Sequence, residues 1–415
     1  MLHNRENRVL TETAQWLREN QHSTPVYLLD LEVVEARYRE LAEHLPDADI
    51  HYAIKANSDF NLLQFMNRLG CKFEAVSLGE VLLARQAGIS AEDIVFTCAG
   101  VPETELRKVY EAGVTINADS IAQLEHLAAF GAKEVSLRLN LDVSAGHHAK
   151  VRTGGERSKF GVHRSMLGLA RTRADQLGMK IIGLHQHIGS DYTEPEHCLK
   201  AMGALFTAAR EFADLRFLDF GGGIGVPNRS GAEGLDIAEL GRQVTAGFRR
   251  FKAEYGNPEL QCKFEPGRRL VAEAGALIVG VTERKENPER TFILTDSGFG
   301  HFARVILYDS YHEIVAVGKP DSPTETVTIT GRVCESGDIF AENRSLPKVE
   351  AGDYLAILTA GAYGDAMATD RYNMLPLPAK VMRLPDGAFS ISQPAETSEE
   401  RADRFVSTHQ HLPLD

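Results

Sequence analysis

Apolar residues recur along this chain in two rhythms. From residue 49 to 266, short strand-like runs alternate with longer stretches at helical spacing. The runs are "DIHYAI" (49–54), "KFEAV" (72–76), "DIVFT" (93–97), "VTINA" (114–118), "EVSLRLN" (134–140), "KIIGLHQH" (180–187), "LRFLDF" (215–220) and "CKFEP" (262–266). Between them, segments such as "SLGEVLLARQAG" (77–88) carry apolar residues at helical spacing and stop on glycine. Such alternation predicts parallel strands joined by right-handed crossovers, and eight units close a (β/α)8 TIM barrel. Beyond about residue 280 the texture changes to "TFILTDSG", "EIVAVG", "ETVTITG" and "DYLAILTAG", strand-like runs with few long helical patterns. We therefore expect an α/β chain with a barrel over 34–279 and a mostly β domain over 280–415. "PVYLLD" (25–30), within 1–33, is expected to lend that domain a strand. The charged tail "ETSEERADRF" (396–405) reads as a surface helix.

Length and composition narrow the class. A chain of 415 residues suggests two domains, and 43% hydrophobic residues supply a substantial core. A net charge of -13 argues against a nucleic-acid surface. The five cysteines, Cys71, Cys98, Cys198, Cys262 and Cys334, are scattered without zinc-site spacing. The first twenty residues are polar and amphipathic, unlike a signal peptide, and no apolar run approaches the ~18 residues of a membrane span. These features predict a cytoplasmic enzyme without a membrane segment.

Chemistry in such a barrel collects at the carboxyl ends of its strands. The first strand leads into Lys55, the second into Ser77, the fourth into Asn117, and the fifth carries Arg138 and Asn140. The sixth ends at His187, Gly189 and Ser190; the seventh runs into Gly221, Gly222 and Gly223; the eighth gives Glu265, Gly267 and Arg268. A lysine at a strand end ordinarily lays its stem on apolar surface and its charge in water. Convergence with a histidine, a glutamate and a glycine turn on one rim favours a chemical role. "DFGGGIG" is a poor dinucleotide fingerprint, since Val226 occupies the third glycine position, but glycines after a strand let backbone N–H groups approach a phosphate. "TGGERSKFG" (153–161) reads as a mobile loop over the site, and His147 and His148 as solvated.

His185 and His187, two apart on one strand, could chelate a metal and serve a barrel hydrolase. No further His or Asp ligands stand out at other strand ends, so no metal is expected. Pyridoxal 5'-phosphate fits better. Lys55 would bond its aldehyde, Glu265 would hold a proton on its ring nitrogen, and His187 would cover one ring face. Ser190, Gly223 and Gly267 would bind its phosphate.

With those residues in place, "YAIKAN", "SLGE", "HIGS", "GGG", "EPGR", "CESGD" and "GAYG" follow one another from 52 to 364. Seven motifs in that order resemble the barrel-type pyridoxal-phosphate decarboxylases, of alanine racemase-like fold. Within them the chain is most similar to the diaminopimelate decarboxylases, through "TGGERSKFG", "CESGD" and "RVILY". The resemblance implies a decarboxylase of lysine biosynthesis and a homodimer with shared active sites. It implies that Cys334 protonates the carbanion and that Glu335 binds the distal ammonium of the substrate, both from the partner subunit. Arg268, Arg304 and Tyr308 would hold the distal carboxylate, and Tyr363 would touch the phosphate and the substrate. Two departures border the substrate end. Val305 replaces a usual proline, and "DAMATDRYNMLP" (365–376) is one residue longer, with Leu375 where an arginine is common.

Related decarboxylases of siderophore or antibiotic pathways act on other carboxylated amines. An alanine-racemase-like isomerase would share the fold, but its tyrosine motif is not evident. A non-enzymatic regulator would have lost Lys55, His187 or Glu265.

Overall fold

The computed structural model describes residues 2–143, 155, 158–227, 229, 231–319, 322–369 and 371–409. Thr153, Gly154, Glu156 and Arg157 of "TGGERSKFG", with the mobility expected of that loop, and His147 and His148 lie outside the described residues. The chain divides into two compact units: Val34–Pro227 with Glu233–Leu270, and Met1–Val33 with Asn228–Ala232 and Val271–Asp415.

The first unit is the barrel. Strands run in chain order after β1 (Val26–Asp30) as β2 (Ala48–Ala53), β3 (Lys72–Ala75), β4 (Ile94–Phe96), β5 (Thr115–Ala118), β6 (Glu134–Asn140), the two-residue β7 (Val162–His163), β8 (Lys180–His185), β9 (Phe217–Asp219) and β10 (Gln261–Phe264). Parallel pairing passes from β2 through β3, β4, β5, β6, β8 and β9 to β10, and β10 returns to β2, closing eight strands. Every residue of β6 after Glu134 is buried, as expected where a parallel strand is covered on both faces. Local chemistry sets the crossover helices. Asp236 caps the helix Ile237–Tyr255, which ends on Gly256 in the left-handed region at φ 76°. Ser77 is a helix cap rather than a rim ligand: its Oγ accepts from Glu80 N–H at 3.1 Å, and Glu80 Oε2 accepts from Val76 N–H at 2.7 Å. The "SLGE" motif is thus a reciprocal helix start.

The second unit is built on β1 with β11 (Gly275–Glu286), β12 (Thr291–Thr295), β13 (Ile314–Ala316), β14 (Thr324–Thr330), β15 (Ile339–Pro347), β16 (Tyr354–Ile357), β17 (Ala379–Arg383) and β18 (Phe389–Gln393). β1 lies between β11, antiparallel, and β17, parallel. Side chains alternate across this sheet. Val26, Leu28, Ala276 and Ile278 join one core with Val9, Leu10 and Leu17 of the helix Leu2–Glu19, while Tyr27, Leu277 and Val279 join a second core with Phe302 and Phe340. A border at 279/280 would cut β11, whose first seven residues are buried and whose remainder is mainly exposed. The tail forms the helix Ser398–Ser407 with a capping box at Thr397. It is not wholly superficial, because Arg401 is fully buried and bonds Glu396 Oε2 at 3.2 Å.

Candidate active site

β2 stops at Ala53, and Lys55 occupies the centre of a 3-10 turn, Ile54–Ala56. Its amine donates to Glu74 Oε2 at 2.5 Å; the lysine side chain is one-third exposed, while Glu74 is buried at the end of β3. Sequence reasoning passed over Glu74. Its alternating place in "KFEAV" is that of a core residue, and only the neighbouring strand reveals the ammonium it faces. Burial also pushes the carboxyl of nearby Glu80 up to about 7.

Glu265 follows β10 and is fully buried among polar groups. His185 Nε2 lies 3.0 Å from Glu265 Oε2, and Glu265 Oε1 is buried without a hydrogen-bond partner among the described residues. Burial first, and then the charge of Glu74, raise this carboxyl to about 8, while Lys55 and Arg138 act in the opposite direction. The two histidines of "HQH" part company. β8 ends at His185, so His187 lies in the loop, where its Nδ1 accepts from Gly222 N–H at 3.2 Å. Burial holds His187 well below the ordinary histidine range, so its ring is neutral and its accepting Nδ1 carries no proton. Among the described residues, His185 and His187 do not share a group that could hold a metal ion, the alternative that the pair had offered. His185 instead groups with Glu265, which the sequence placed at the end of the eighth strand, and with Asp219, which it had not singled out.

The glycine turn is wedged between neighbouring loops. A Cβ on Gly222 would lie 2.1 Å from Glu265 O, and one on Gly223 2.1 Å from Gly189 O. Glycine is thus required here by backbone packing alone, and that packing draws the turn up to Ser190 and Glu265. Gly267 is equally confined, with Ala56 Cβ at 2.9 Å from its added Cβ. Arg268 is buried; it donates to Ser190 Oγ at 3.3 Å and lies 3.7 Å from Asp191 Oδ1. Arg138 forms a second buried pair with Asp119 at 3.0 Å and stacks 4.6 Å from the Phe160 ring. Lys55, His187, Ser190, Gly223, Glu265, Gly267 and Arg268 therefore all lie in the barrel unit, on the loops that follow β2, β8, β9 and β10.

The remaining candidates belong to the second unit. Arg304, buried at the start of the short helix Arg304–Tyr308, lies 5.7 Å from the Tyr308 ring and 5.8 Å from the Tyr363 ring. Tyr363 adopts φ 60°, a left-handed conformation that a bulky residue rarely takes. Val305 packs partly buried against the second core, and Leu375 is buried. Cys334 and Glu335 are exposed on a turn held by the 365–376 segment. Cys334 N–H donates to Asn373 Oδ1 at 2.8 Å, and Tyr372 Oη donates to Glu335 Oε2 at 3.3 Å. Asn373 and Met374 both have positive φ, at 54° and 53°. Tyr372 and Asn373 carry no catalytic signature in sequence, and only these bonds bring them forward.

Residues 31–272 match the family model described as the pyridoxal-dependent decarboxylase, pyridoxal binding domain. The chain is 36% identical over 390 residues to diaminopimelate decarboxylase of Methanothermobacter thermautotrophicus, covering 91% of this chain and 90% of that protein. Against the Escherichia coli K12 enzyme of the same name it is 34% identical, covering 91% and 92%. The chain belongs to the diaminopimelate decarboxylase family of pyridoxal-dependent decarboxylases. Its fold matches the Helicobacter pylori member solved with L-lysine, with a TM-score of 0.86 at 29% identity, over 94% of this chain and 98% of that one. Pyridoxal 5'-phosphate is the family's cofactor, and the barrel mouth fits it. Glu265 Oε1 is a buried acceptor suited to a ring N–H, Lys55 offers an amine, and His187 a neutral flat ring. Among the described residues, no helix is long and apolar enough to cross a membrane.

Proposed function

We propose that the protein converts meso-2,6-diaminopimelate to L-lysine and carbon dioxide, as a homodimer in the cytoplasm. The observation that carries the reading is Glu265, a buried carboxyl with one oxygen unpartnered among the described residues, in a barrel mouth that also holds the one-third-exposed side chain of Lys55. When bound, the cofactor supplies a sink for the electron pair left as carbon dioxide departs. Lys55 would hold the cofactor at its aldehyde through the side-chain amine. Glu265 keeps the ring nitrogen protonated, since a cation beside this buried carboxyl favours its ionised form. His187 would cover one ring face, and Ser190, Gly223, Gly267 and Arg268 would hold the phosphate, with Tyr363 of the partner subunit as a further ligand.

Cys334 delivers a proton from Sγ to the carbon that lost its carboxylate. Arg304, fixed beside two tyrosine rings, is a ready cation for the distal carboxylate, with Tyr308 and Arg268. Glu335, oriented by Tyr372, meets the distal ammonium. Support for this substrate comes from the names of the relatives and from the L-lysine in the Helicobacter pylori structure. The net charge of -13 argues against a nucleic-acid partner, and five unpaired cysteines suit a reducing compartment. A substrate panel monitored for carbon dioxide tests the reading. Diaminopimelate should give the highest kcat/KM, and lysine, which leaves Arg304 without a carboxylate, should react roughly 100-fold or more slowly. Preference for another carboxylated amine would move the protein to a neighbouring pathway.

A further inference from the structure

Behind the carboxyl assigned to the cofactor lies a polar group that the reaction does not itself employ. His185, Asp219 and Glu265 come from the ends of β8, β9 and β10, three successive strands of the barrel. One histidine nitrogen and one oxygen of each carboxyl lie within 4.8 Å of one another, and all three residues are buried. Each has one polar atom engaged. His185 Nε2 meets Glu265 Oε2 at 3.0 Å, and Asp219 Oδ1 accepts from Gly221 N–H at 3.0 Å. Each also has one buried atom without a partner among the described residues: His185 Nδ1, Asp219 Oδ2 and Glu265 Oε1.

A buried glutamate side chain with few hydrogen bonds can swing, and a swung carboxyl would miss a ring nitrogen. The contacts of Glu265 with His185 and Asp219 therefore decide where its second oxygen points. Burial lowers His185 to about 4, so the imidazole is neutral and has one N–H to give. The nitrogen nearest an acceptor is Nε2.

We propose that His185 is a positioning residue that donates Nε2–H to Glu265 Oε2 and so presents Glu265 Oε1 to the cofactor's ring nitrogen. Asp219 completes the group by tying Gly221 N–H to the same cluster, which keeps the glycine turn and Glu265 in register. Burial and the neighbouring Glu265 push Asp219 up to about 7, while His185 and the Gly221 N–H act in the opposite direction. The inference rests on reading Glu265 as the partner of the ring nitrogen.

Two substitutions separate donation from packing. His185→Gln keeps an N–H donor, whereas His185→Leu fills space and cannot donate. Titrated with pyridoxal 5'-phosphate, the cofactor-free Leu variant should bind roughly tenfold or more weakly, the scale of one hydrogen bond to a charged group. Its kcat should fall at least as far while KM for the amino acid stays within about twofold, and Gln should recover most of both losses. In histidine-labelled holoenzyme, the nitrogen resonances that vanish in His185→Gln should report a neutral ring protonated at Nε2; this reading stands even if the Leu variant fails to fold. Wild-type cofactor affinity in His185→Leu, equal impairment in both variants, or a proton on Nδ1 would each overturn the proposal. Undiminished binding and turnover in Glu265→Gln would instead remove the reading on which it rests.

Discussion

Lys55 and Cys334 are both reactive side chains, and the chain holds them in opposite ways. Lys55 follows a strand whose last four residues are buried, and its amine bonds a buried carboxylate on the next strand. Cys334 is exposed on a turn, with its peptide N–H held by a side chain 39 residues away in a segment of left-handed residues. Neighbouring strands in register position the first, and two side-chain hydrogen bonds latch the turn that carries the second. Barrel register tolerates little variation, because a one-residue slip reverses every side chain. A latched turn can change its latch. The departure from the family pattern in 365–376 falls on the second kind of support, whereas Val305 packs against a hydrophobic core.

The largest effect is expected at the rigid end. Lys55→Ala should lose the visible absorption of the bound cofactor and roughly 10⁴-fold or more in turnover; a variant that kept the band would transfer the role to another lysine. Next comes a test of whether the two kinds of support cooperate across subunits. Inactive Lys55→Ala and Cys334→Ala proteins, mixed and allowed to exchange, should regain up to about a quarter of full activity, because half the dimers are hybrids with one intact site in two. A mixture that stays inactive would place both residues in the same chain's site.

A smaller effect should follow from loosening the latch. Tyr372→Phe deletes the bond to Glu335. KM for diaminopimelate should rise about three- to tenfold with kcat changed less than twofold, as for one neutral donor to a charged acceptor. Steady-state kinetics with an unchanged KM would show that Glu335 needs no such support.

The smallest effect concerns stability. In the cofactor-free protein Glu265 sits at about 8 and Asp219 at about 7, whereas unfolded carboxyls titrate near ~4. Between those values the folded chain keeps carboxyl protons that the unfolded chain has released, so the contribution of these two groups to stability falls as pH rises from about 4 through 8, whereas the buried neutral histidines His185 and His187 oppose it below the ordinary histidine range. Above that range, between about pH 7 and 8.5, the melting temperature of the cofactor-free protein should therefore drop. Glu265→Gln should flatten that slope; an equal slope in the variant would assign it to other groups.

The same contrast explains what could be read from the sequence. Eight apolar runs and their terminal residues were legible because a strand end in a barrel is a position with a fixed orientation. Glu265, His187 and Lys55 could be found by counting. Glu74 and the link from His185 to Glu265 could not, since the partners lie 19 and 80 residues apart and meet only once strands pair. The second unit was less legible. β11 continues an apolar run directly out of the barrel sequence, and β15, β17 and β18 are short or half-exposed. Tyr372 and Asn373 left no periodic trace, because a latch needs only reach.

The placement of β1 has a consequence for how the protein is made. Val26 pairs with Ile278 and with Ala379, so the strand leaves the ribosome some 250 residues before its first neighbour exists. At ordinary rates of synthesis that is an interval of roughly 10–50 s. All five residues of β1 end up buried, and during the interval they have no sheet to enter. The barrel, in contrast, is encoded almost without interruption and can close within it. The nascent chain thus carries a finished guest inside an unfinished host, with an apolar strand waiting at its leading end. A holdase would find its target there.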